Sequence, residues 1–444
     1  MTEDAAMNAK PESKTSAAAT PTGPLSLAVV GAGGRFNAYN RKYIVKNPDR
    51  VRIVAIAEPM AERRDAVAKQ HAIPPDHCFE SYEQIAARPG LARAVLNSTM
   101  DLLHYESSMA LLAAGYDMLL EKPIAPTEDQ VRAIIEASRR LGRTVMICHG
   151  IRYSPFYYKI KQLLDGGRIG RVMSIAASEY VGYDHMAGAF VRGNWRNTDV
   201  AAPMILAKCC HDLDMIVWLM EGIRPARVSS LGSLMHFREE NAPPGSGTRC
   251  MNDCEIEPDC DYSAHTLYMG RVDPELKKRA GPTGEIDDAT VAENLRSLRT
   301  DSLYGRCVWR CDNNVVDHQV VTIEFENGAL GTLHMIGNAA RATRDIHIVG
   351  TEGELMGDLK EGLLRLRKFR PNDFHRRYTE QIFDIPFGPD NHGGNDERLI
   401  ADFVALMLGE PTSKARTRVE DSLTGHQVTF AAEQARLERR TIEL

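Results

Sequence analysis

The sequence lacks any long uncharged apolar run. Its most apolar window, Pro203 to Leu219, is broken by Lys208, His211, Asp212 and Asp214, far short of the roughly 18 residues a membrane-spanning helix needs. Basic charge is not in excess either, with 54 Lys+Arg against 60 Asp+Glu and a net charge of −6. No surplus exists to neutralise a phosphate backbone, so nucleic acid is a poor partner. Cysteine is sparse, nine in 444 residues, which is too few for a disulfide scaffold. Residues 1–23 are rich in Ala, Thr, Ser and Pro and hold no apolar stretch of signal-peptide length. They read as a disordered extension, and the chain as cytoplasmic with reduced thiols.

What is present is ordinary for a globular protein: 43% hydrophobic and 26% charged residues, in a length that allows two or three domains. From residue 24 to 150, short aliphatic runs at Leu25 to Val30, Val51 to Ala57, Ala94 to Asn97, Asp117 to Leu120 and Thr144 to Cys148 alternate with helical patterns, among them Ala61 to Gln70, Tyr105 to Ala114 and Glu128 to Leu141. That alternation predicts an α/β Rossmann-type domain with a doubly wound parallel sheet. From 151 to 395 the pattern becomes β-rich, at Val172 to Glu179, Val316 to Glu326, Ala329 to Ile336 and Asp345 to Gly350, and predicts an open, mostly antiparallel sheet, an α+β arrangement. Asn327-Gly328 between two such runs signals a hairpin. Residues 237–300 lack periodicity and read as an insertion on this second domain. Residues 396–444, including the apolar helical stretch Asp396 to Leu408 and the region after Arg418, are expected to pack back on the first domain.

The first strand runs straight into Gly31-Ala32-Gly33-Gly34-Arg35-Phe36 and a helix. Glycines there let the backbone approach a pyrophosphate, and the helix offers it unpaired N–H groups. Gly31 and Gly33 suit the dinucleotide fingerprint, whereas Phe36 replaces its third glycine. Glu58, ending the second strand, is placed to accept ribose hydroxyls and to repel a 2′-phosphate, favouring NAD over NADP despite Arg63 and Arg64 nearby.

Glu121-Lys122-Pro123 follows the apolar strand Met118 to Leu120. Together with Asn97-Ser98-Thr99 before His104, Gly167-Arg168-Ile169-Gly170, Trp195-Arg196 and His211-Asp212-Leu213-Asp214, it resembles the glucose-fructose oxidoreductase, inositol dehydrogenase and rhizopine-catabolism (Gfo/Idh/MocA) family, over about residues 25–235 and 300–440. The resemblance implies a Rossmann domain, a sheet domain whose exposed face forms homo-oligomers, and a carbohydrate bound between nicotinamide and sheet. It also implies cofactor contacts from Gly31, Gly33, Gly34, Arg35, Phe36, Glu58, Asn97, Thr99, His104, Glu121 and Lys122. Lys122 and His211 are the expected catalytic pair, acting on the proton and oxygen of a secondary hydroxyl. Asp214, three residues after His211, can share its helical face and orient the ring. His149, Arg152, Tyr153, Trp195, Arg196, His318 and His392 are expected near the substrate.

The family's aspartate four residues before the histidine is here Ala207, with Lys208 beside it. A second lysine at the site favours an anionic ligand or a stabilised enolate, although Lys208 can equally point outward. The Lys208-to-Asp214 string resembles the branch of NAD-dependent sulfoquinovosidases, redox-neutral glycosidases in which Arg152 or Arg196 would grip a sulfonate. An NAD-binding regulator without turnover is the third reading. Cys250, Cys254, Cys260 and Cys307 cluster in and beside the insertion and suggest a structural zinc site, with buried thiols as the alternative.

Overall fold

The computed structural model describes residues 23–269, 288–388 and 392–444. The expected extension (1–23, except Gly23), part of the insertion (270–287) and Asn391 of the glycine-rich Asn391-to-Gly394 segment lie outside the described residues.

The first domain holds six strands: β1 (Leu25–Val30), β2 (Val51–Ala57), β3 (Cys78–Phe79), β4 (Ala94–Asn97), β5 (Asp117–Leu120) and β6 (Val145–Ile147). They form one parallel sheet in the order β3-β2-β1-β4-β5-β6. The strand order reverses between β1 and β4, which opens a crevice at their carboxyl ends, where ligands bind in such sheets. Both faces are covered, so the strands read as near-continuous apolar runs. Leu27 and Val29 pack with Phe36, Leu399 and Phe403 on one side, while Ala28 and Val30 meet Val95, Leu111 and Ile134 on the other.

Helix Glu128–Leu141 shows why the local sequence suffices for its element. Thr127 caps its first turn by accepting the Gln130 N–H at 3.4 Å, Glu128 and Asp129 meet the positive end of its dipole, and Arg139 and Arg140 meet the negative end. Gly142 then ends it in the left-handed conformation at φ 61°. Val131, Ile134, Ile135 and Ser138 fall at helical spacing and are buried.

The second domain is a nine-stranded sheet built from β7 (Val172–Gly182), β8 (Pro225–Ser233), β9 (His318–Phe325), β10 (Leu330–Ala339), β11 (Thr343–Gly350), β12 (Gly353–Asp358), β13 (Leu363–Phe369), β14 (Tyr378–Asp384) and β15 (Ile442–Glu443). Its order is β14-β13-β12-β11-β7-β10-β9-β8-β15. Among the described residues only β7 and β10 pair in parallel. The Asn327-Gly328 hairpin joins β9 to β10, but Gly328 alone takes positive φ, at 82°. Gly328 N–H donates to Phe325 O at 2.8 Å and the Phe325 N–H to Ala329 O at 2.9 Å, the three-residue form with a bulge rather than the two-residue turn.

One face of this sheet is covered by helices Cys210–Leu219 and Leu423–Glu438, and the other is open, with Leu231 75% and Val320 41% exposed. Helix Asn395–Leu408 packs on the first domain through Leu399, Phe403 and Val404. Helix Leu423–Glu438 serves both domains: Leu423 and Phe430, with Val419 before them, pack on the first, while Val428, Ala431, Ala432 and Ala435 enter the core of the second, where that small-residue stripe fits closely over β8.

Aromatic residues of the insertion and its flanks extend the core of the second domain. Trp309 packs against His236, Phe237 and Tyr262, with ring centroids 4.9, 6.1 and 5.7 Å away. Arg192 is fully buried beneath it and donates to Arg306 O at 2.7 Å, to Tyr262 O at 2.7 Å and to Cys250 Sγ at 3.4 Å. This corrects the zinc expectation for Cys250, Cys254, Cys260 and Cys307. Among the described residues no group of three or more His, Cys, Asp or Glu side chains is arranged to hold a metal ion. The Arg192 guanidinium, a cation supplied by the chain, lies against Cys250 instead.

Candidate active site

The crevice at the sheet's carboxyl edge starts with the glycine turn. Gly31 has φ +87°, and a Cβ on it would stand 2.6 Å from the carbonyl oxygen of Ser98, so only glycine lets β1 pass β4 this closely. A Cβ at Gly33 or Gly34 would meet nothing within 4 Å. Helix Gly34–Lys42 begins there without a side-chain cap and without an acidic residue in its first turn, so its amides are open to an anion. Glu58 is buried at the end of β2, accepts Ala32 N–H at 2.7 Å and Met60 N–H at 3.0 Å, and thereby sets its carboxylate beside the turn. Open space over uncapped amides, with a carboxylate at the neighbouring strand end, fits an adenine dinucleotide.

Several expected cofactor contacts act from below. Phe36 is fully buried in the core behind the turn, so packing, not nucleotide, explains it. Arg35 turns to Glu121 (2.9 Å), Tyr39 (2.6 Å) and Asp396 (2.8 Å), tying the turn to the Glu-Lys-Pro loop and to the C-terminal helix. Arg35, Tyr39 and Lys122 together outweigh burial and hold the Glu121 carboxyl below its ordinary range. Asn97 is buried, accepts the Thr99 hydroxyl at 3.0 Å and donates to Ser107 at 2.8 Å. His104 lies between the Pro123 and Thr99 carbonyls. These two hold the loops after β4 and β5, leaving Thr99 and Lys122 at the crevice.

Lys122 follows β5, and its peptide bond to Pro123 is cis. Its ammonium donates to the carbonyl oxygen of Ala207, at the end of the helical turn Met204–Ala207, just before helix Cys210–Leu219 presents His211. His149 follows β6, and its Nδ1 lies 3.3 Å from His211 Nδ1. Burial first, and then the Lys122 ammonium, push the His211 imidazole well below its ordinary value; burial and Arg152 do the same to His149. Both rings are therefore neutral near pH 7.

Asp214 does not orient His211. Its carboxylate is gripped by Arg152 through Nε and Nη2, each at 2.7 Å, and faces His149 Nε2 at 3.7 Å. The Nε/Nη2 edge of Arg152 is thus committed to a carboxylate and holds Asp214 in place. Lys208 reaches Glu179 at 3.1 Å. Arg344 of β11 joins Glu179 (2.7 Å) to Asp212 (2.6 Å), so the helix carrying His211 is pinned to the sheet by alternating charges.

The remaining expected substrate residues separate. Trp195 donates its indole N–H to Asp101 at 3.0 Å and forms a wall opposite the loop after β4. Arg196 is bonded to Asp312 at 2.8 Å. Tyr153 is buried and donates to Asp402 at 2.7 Å, which makes it a core contact of the C-terminal helix. His318 pairs in register with Ile336, on the sheet face opposite helix Cys210–Leu219, where it lines a cavity of about 350 Å³ with Asp317, His334 and Asn338. His392 is exposed beside Asp396 (2.7 Å) and Arg35 (3.3 Å). Sequence reading passed over Tyr39, Asp101, Glu179, Arg344, His426 and the carbonyl of Ala207, whose partners are distant in the chain and leave no local pattern.

Comparison with known proteins agrees with this geometry. Residues 25–149 match the model of an oxidoreductase family's NAD-binding Rossmann fold, and residues 161–444 match that family's C-terminal alpha/beta domain. YteT of Bacillus subtilis (strain 168), named as an oxidoreductase, is 26% identical over 71% of this chain and 72% of its own length. The inositol 2-dehydrogenase of Streptomyces avermitilis is 30% identical over 44% of this chain, a match that spans about half, 53%, of that relative. A levoglucosan dehydrogenase solved with NADH and levoglucosan superposes with a TM-score of 0.67 at 18% identity, covering 95% of this chain and 99% of that one. At that identity the likeness speaks for the fold. The two family domains together span nearly all the described residues, and the chain belongs to the Gfo/Idh/MocA oxidoreductase family.

Proposed function

We propose that the protein is an NAD-dependent dehydrogenase that takes hydride from a secondary hydroxyl-bearing carbon of a sugar or polyol. The observation that carries this reading is the bond from the Lys122 ammonium to the carbonyl oxygen of Ala207, four residues before His211, at the carboxyl edge of β5 and in the same crevice as the uncapped glycine turn. The relatives named inositol 2-dehydrogenase and levoglucosan dehydrogenase support the substrate class.

Gly31, Gly33 and Gly34 would hold the pyrophosphate of NAD and Glu58 its adenosine ribose, whose 2′-phosphorylated form the carboxylate repels. Bound NAD would supply the hydride acceptor. The protein's own part is to handle the proton and the charge. His211 is a neutral imidazole and can take the hydroxyl proton. Lys122 cannot be the base while charged; its ammonium, anchored on Ala207, stabilises the oxygen as negative charge develops. Trp195 is bonded to Asp101 in the loop after β4. Lys208 is paired with Glu179, with ammonium donors left over for an anionic substrate group. The open sheet face, with Leu231 and Val320 exposed, supports self-association of the chain.

Incubation with NAD and a panel of inositols, anhydrosugars and sugar acids tests the reading. NADH accumulation with at least one of them is expected. Release of aglycone from an aryl glycoside without NADH accumulation would instead establish redox-neutral hydrolysis, and NAD binding with no turnover of any substrate a regulator.

A further inference from the structure

Two imidazoles in the crevice face each other through like atoms. His149 Nδ1 and His211 Nδ1 are 3.3 Å apart, with the rings edge-on. Two N–H groups cannot bond to each other and neither can two lone pairs, so one nitrogen donates and the other accepts. The far nitrogen of His149 decides which. That Nε2 is buried without a hydrogen-bond partner, and Asp214 Oδ1 stands 3.7 Å from it. A carboxylate attracts an N–H and repels a lone pair, so the proton of His149 belongs on Nε2. Asp214 cannot rotate away, because Arg152 holds both its oxygens. His149 Nδ1 is then a bare acceptor, His211 donates from its own Nδ1, and the lone pair of His211 is left on Nε2.

We propose that His149, itself oriented by Asp214, is a positioning residue that fixes the tautomer of His211, so that His211 Nε2 is the base that receives the substrate proton. It takes over the orienting task for which position 207 carries no carboxylate in this chain. In the step so served, the substrate O–H bond breaks as an N–H bond forms at His211 Nε2, and the hydride leaves carbon for NAD. The resulting imidazolium keeps its Nδ1–H on His149, and no proton passes on to Asp214. Other charged or titratable groups face the pair. Lys122, Arg344 and Arg35 act on His211, and Arg152, Lys122 and Glu121 on His149. The His426 ring lies 5.8 Å from His149; its Nε2 accepts the Ile124 N–H and its Nδ1 faces the Ser422 carbonyl, so it is committed elsewhere. The cations disfavour charge on His211, which leaves the ring neutral and its Nε2 lone pair free to accept a proton.

The kinetic consequence rests on the dehydrogenase reading, whereas the tautomer does not. Long-range proton–nitrogen NMR of the full-length protein labelled with 15N-histidine reads the tautomer directly. The expected pattern is His211 protonated at Nδ1 and bare at Nε2, with His149 the reverse. His149→Asn keeps an acceptor oxygen near the old Nδ1 and is expected to preserve the His211 tautomer and turnover to within about threefold. His149→Phe removes the acceptor and is expected to mix the tautomers and to lower kcat roughly 10–100-fold while KM and NAD affinity stay unchanged. A wild-type His149 protonated at Nδ1, or equal kcat losses in the Asn and Phe variants, would overturn the proposal. The expected tautomers in a wild-type protein that oxidises no polyol would refute the dehydrogenase reading and leave the positioning role standing.

Discussion

The Lys122 ammonium rests on the carbonyl oxygen of Ala207, four residues before His211. A main-chain acceptor at the end of a helical turn is free to bond because its own helix has ended. The arrangement sets the cation beside the imidazole without needing a side chain at 207. Replacing Lys122 by Met keeps the length and apolar stem but removes the charge. Turnover is expected to fall about 10²–10³-fold, while NAD binding, followed by fluorescence titration, changes little. Unchanged turnover would remove Lys122 from the chemistry.

Gly31 and Gly33 are both glycines of one turn, yet they answer to different demands. Gly31→Ala forces a left-handed φ on a side chain and drives its Cβ into the Ser98 carbonyl, so it is expected to cost roughly 1–3 kcal/mol of stability as well as nucleotide affinity. Gly33→Ala meets open space and has no positive φ to maintain. It is expected to leave the melting temperature in place and to weaken NAD alone, because the methyl enters the space over the helix amides. Thermal melts with and without NAD separate the two. Equal melting temperatures for both variants would contradict the clash.

Strands bounded sharply by polar residues were legible. Leu25–Val30, Val51–Ala57, Ala94–Asn97 and Asp117–Leu120 coincide with their aliphatic runs, since buried parallel strands need such runs and little else. The charged outer strands β13 and β14 were not, because Arg365, Arg367 and Glu380 alternate with the apolar positions and bond across the strands instead of marking a core. Within the site, residues were identified more readily than their partners. Lys122 and His211 announce themselves by motif, but Arg152 meets Asp214 from 62 positions away and Arg344 meets Asp212 from 132 away. His318 was misplaced by the parity of a strand: a single residue's shift exchanges the crevice side of a sheet for its open face.

The buried histidines make stability depend on pH in a definite direction. Burial first, and His149 second, lower His426 from 6.5 to about 3, and His149 and His211 shift the same way. The unfolded chain binds these protons as pH falls through about 6.5, whereas the folded chain refuses them. For His426 the contribution is therefore complete above that value and is lost between it and about pH 3, at up to about 1.4 kcal/mol per pH unit, and His149 and His211 act in the same direction. His426→Gln retains an acceptor for the Ile124 N–H but cannot titrate. Its unfolding free energy, measured by denaturant titration from about pH 8 to about pH 4.5, is expected to fall less steeply than that of the wild type. Parallel curves would show that His426 is protonated in the folded protein.

Arg192 does for the insertion what the cysteines were expected to do with zinc. Its guanidinium ties Tyr262 and Arg306 through their carbonyls and lies against Cys250, so the irregular segment closes around a cation supplied by the chain itself. Removing that cation orphans two carbonyls, at roughly 1–3 kcal/mol each. Arg192→Leu is expected to expose the Phe237, Tyr262 and Trp309 cluster, seen as a red shift of tryptophan emission and as proteolytic cutting within residues 237–300. Prolonged treatment of the wild type with a zinc chelator is expected to change neither reading, and replacing Cys254 by Ser likewise. Chelator-induced opening of the insertion would return the site to metal, because no arrangement of Arg192 hydrogen bonds responds to a chelator.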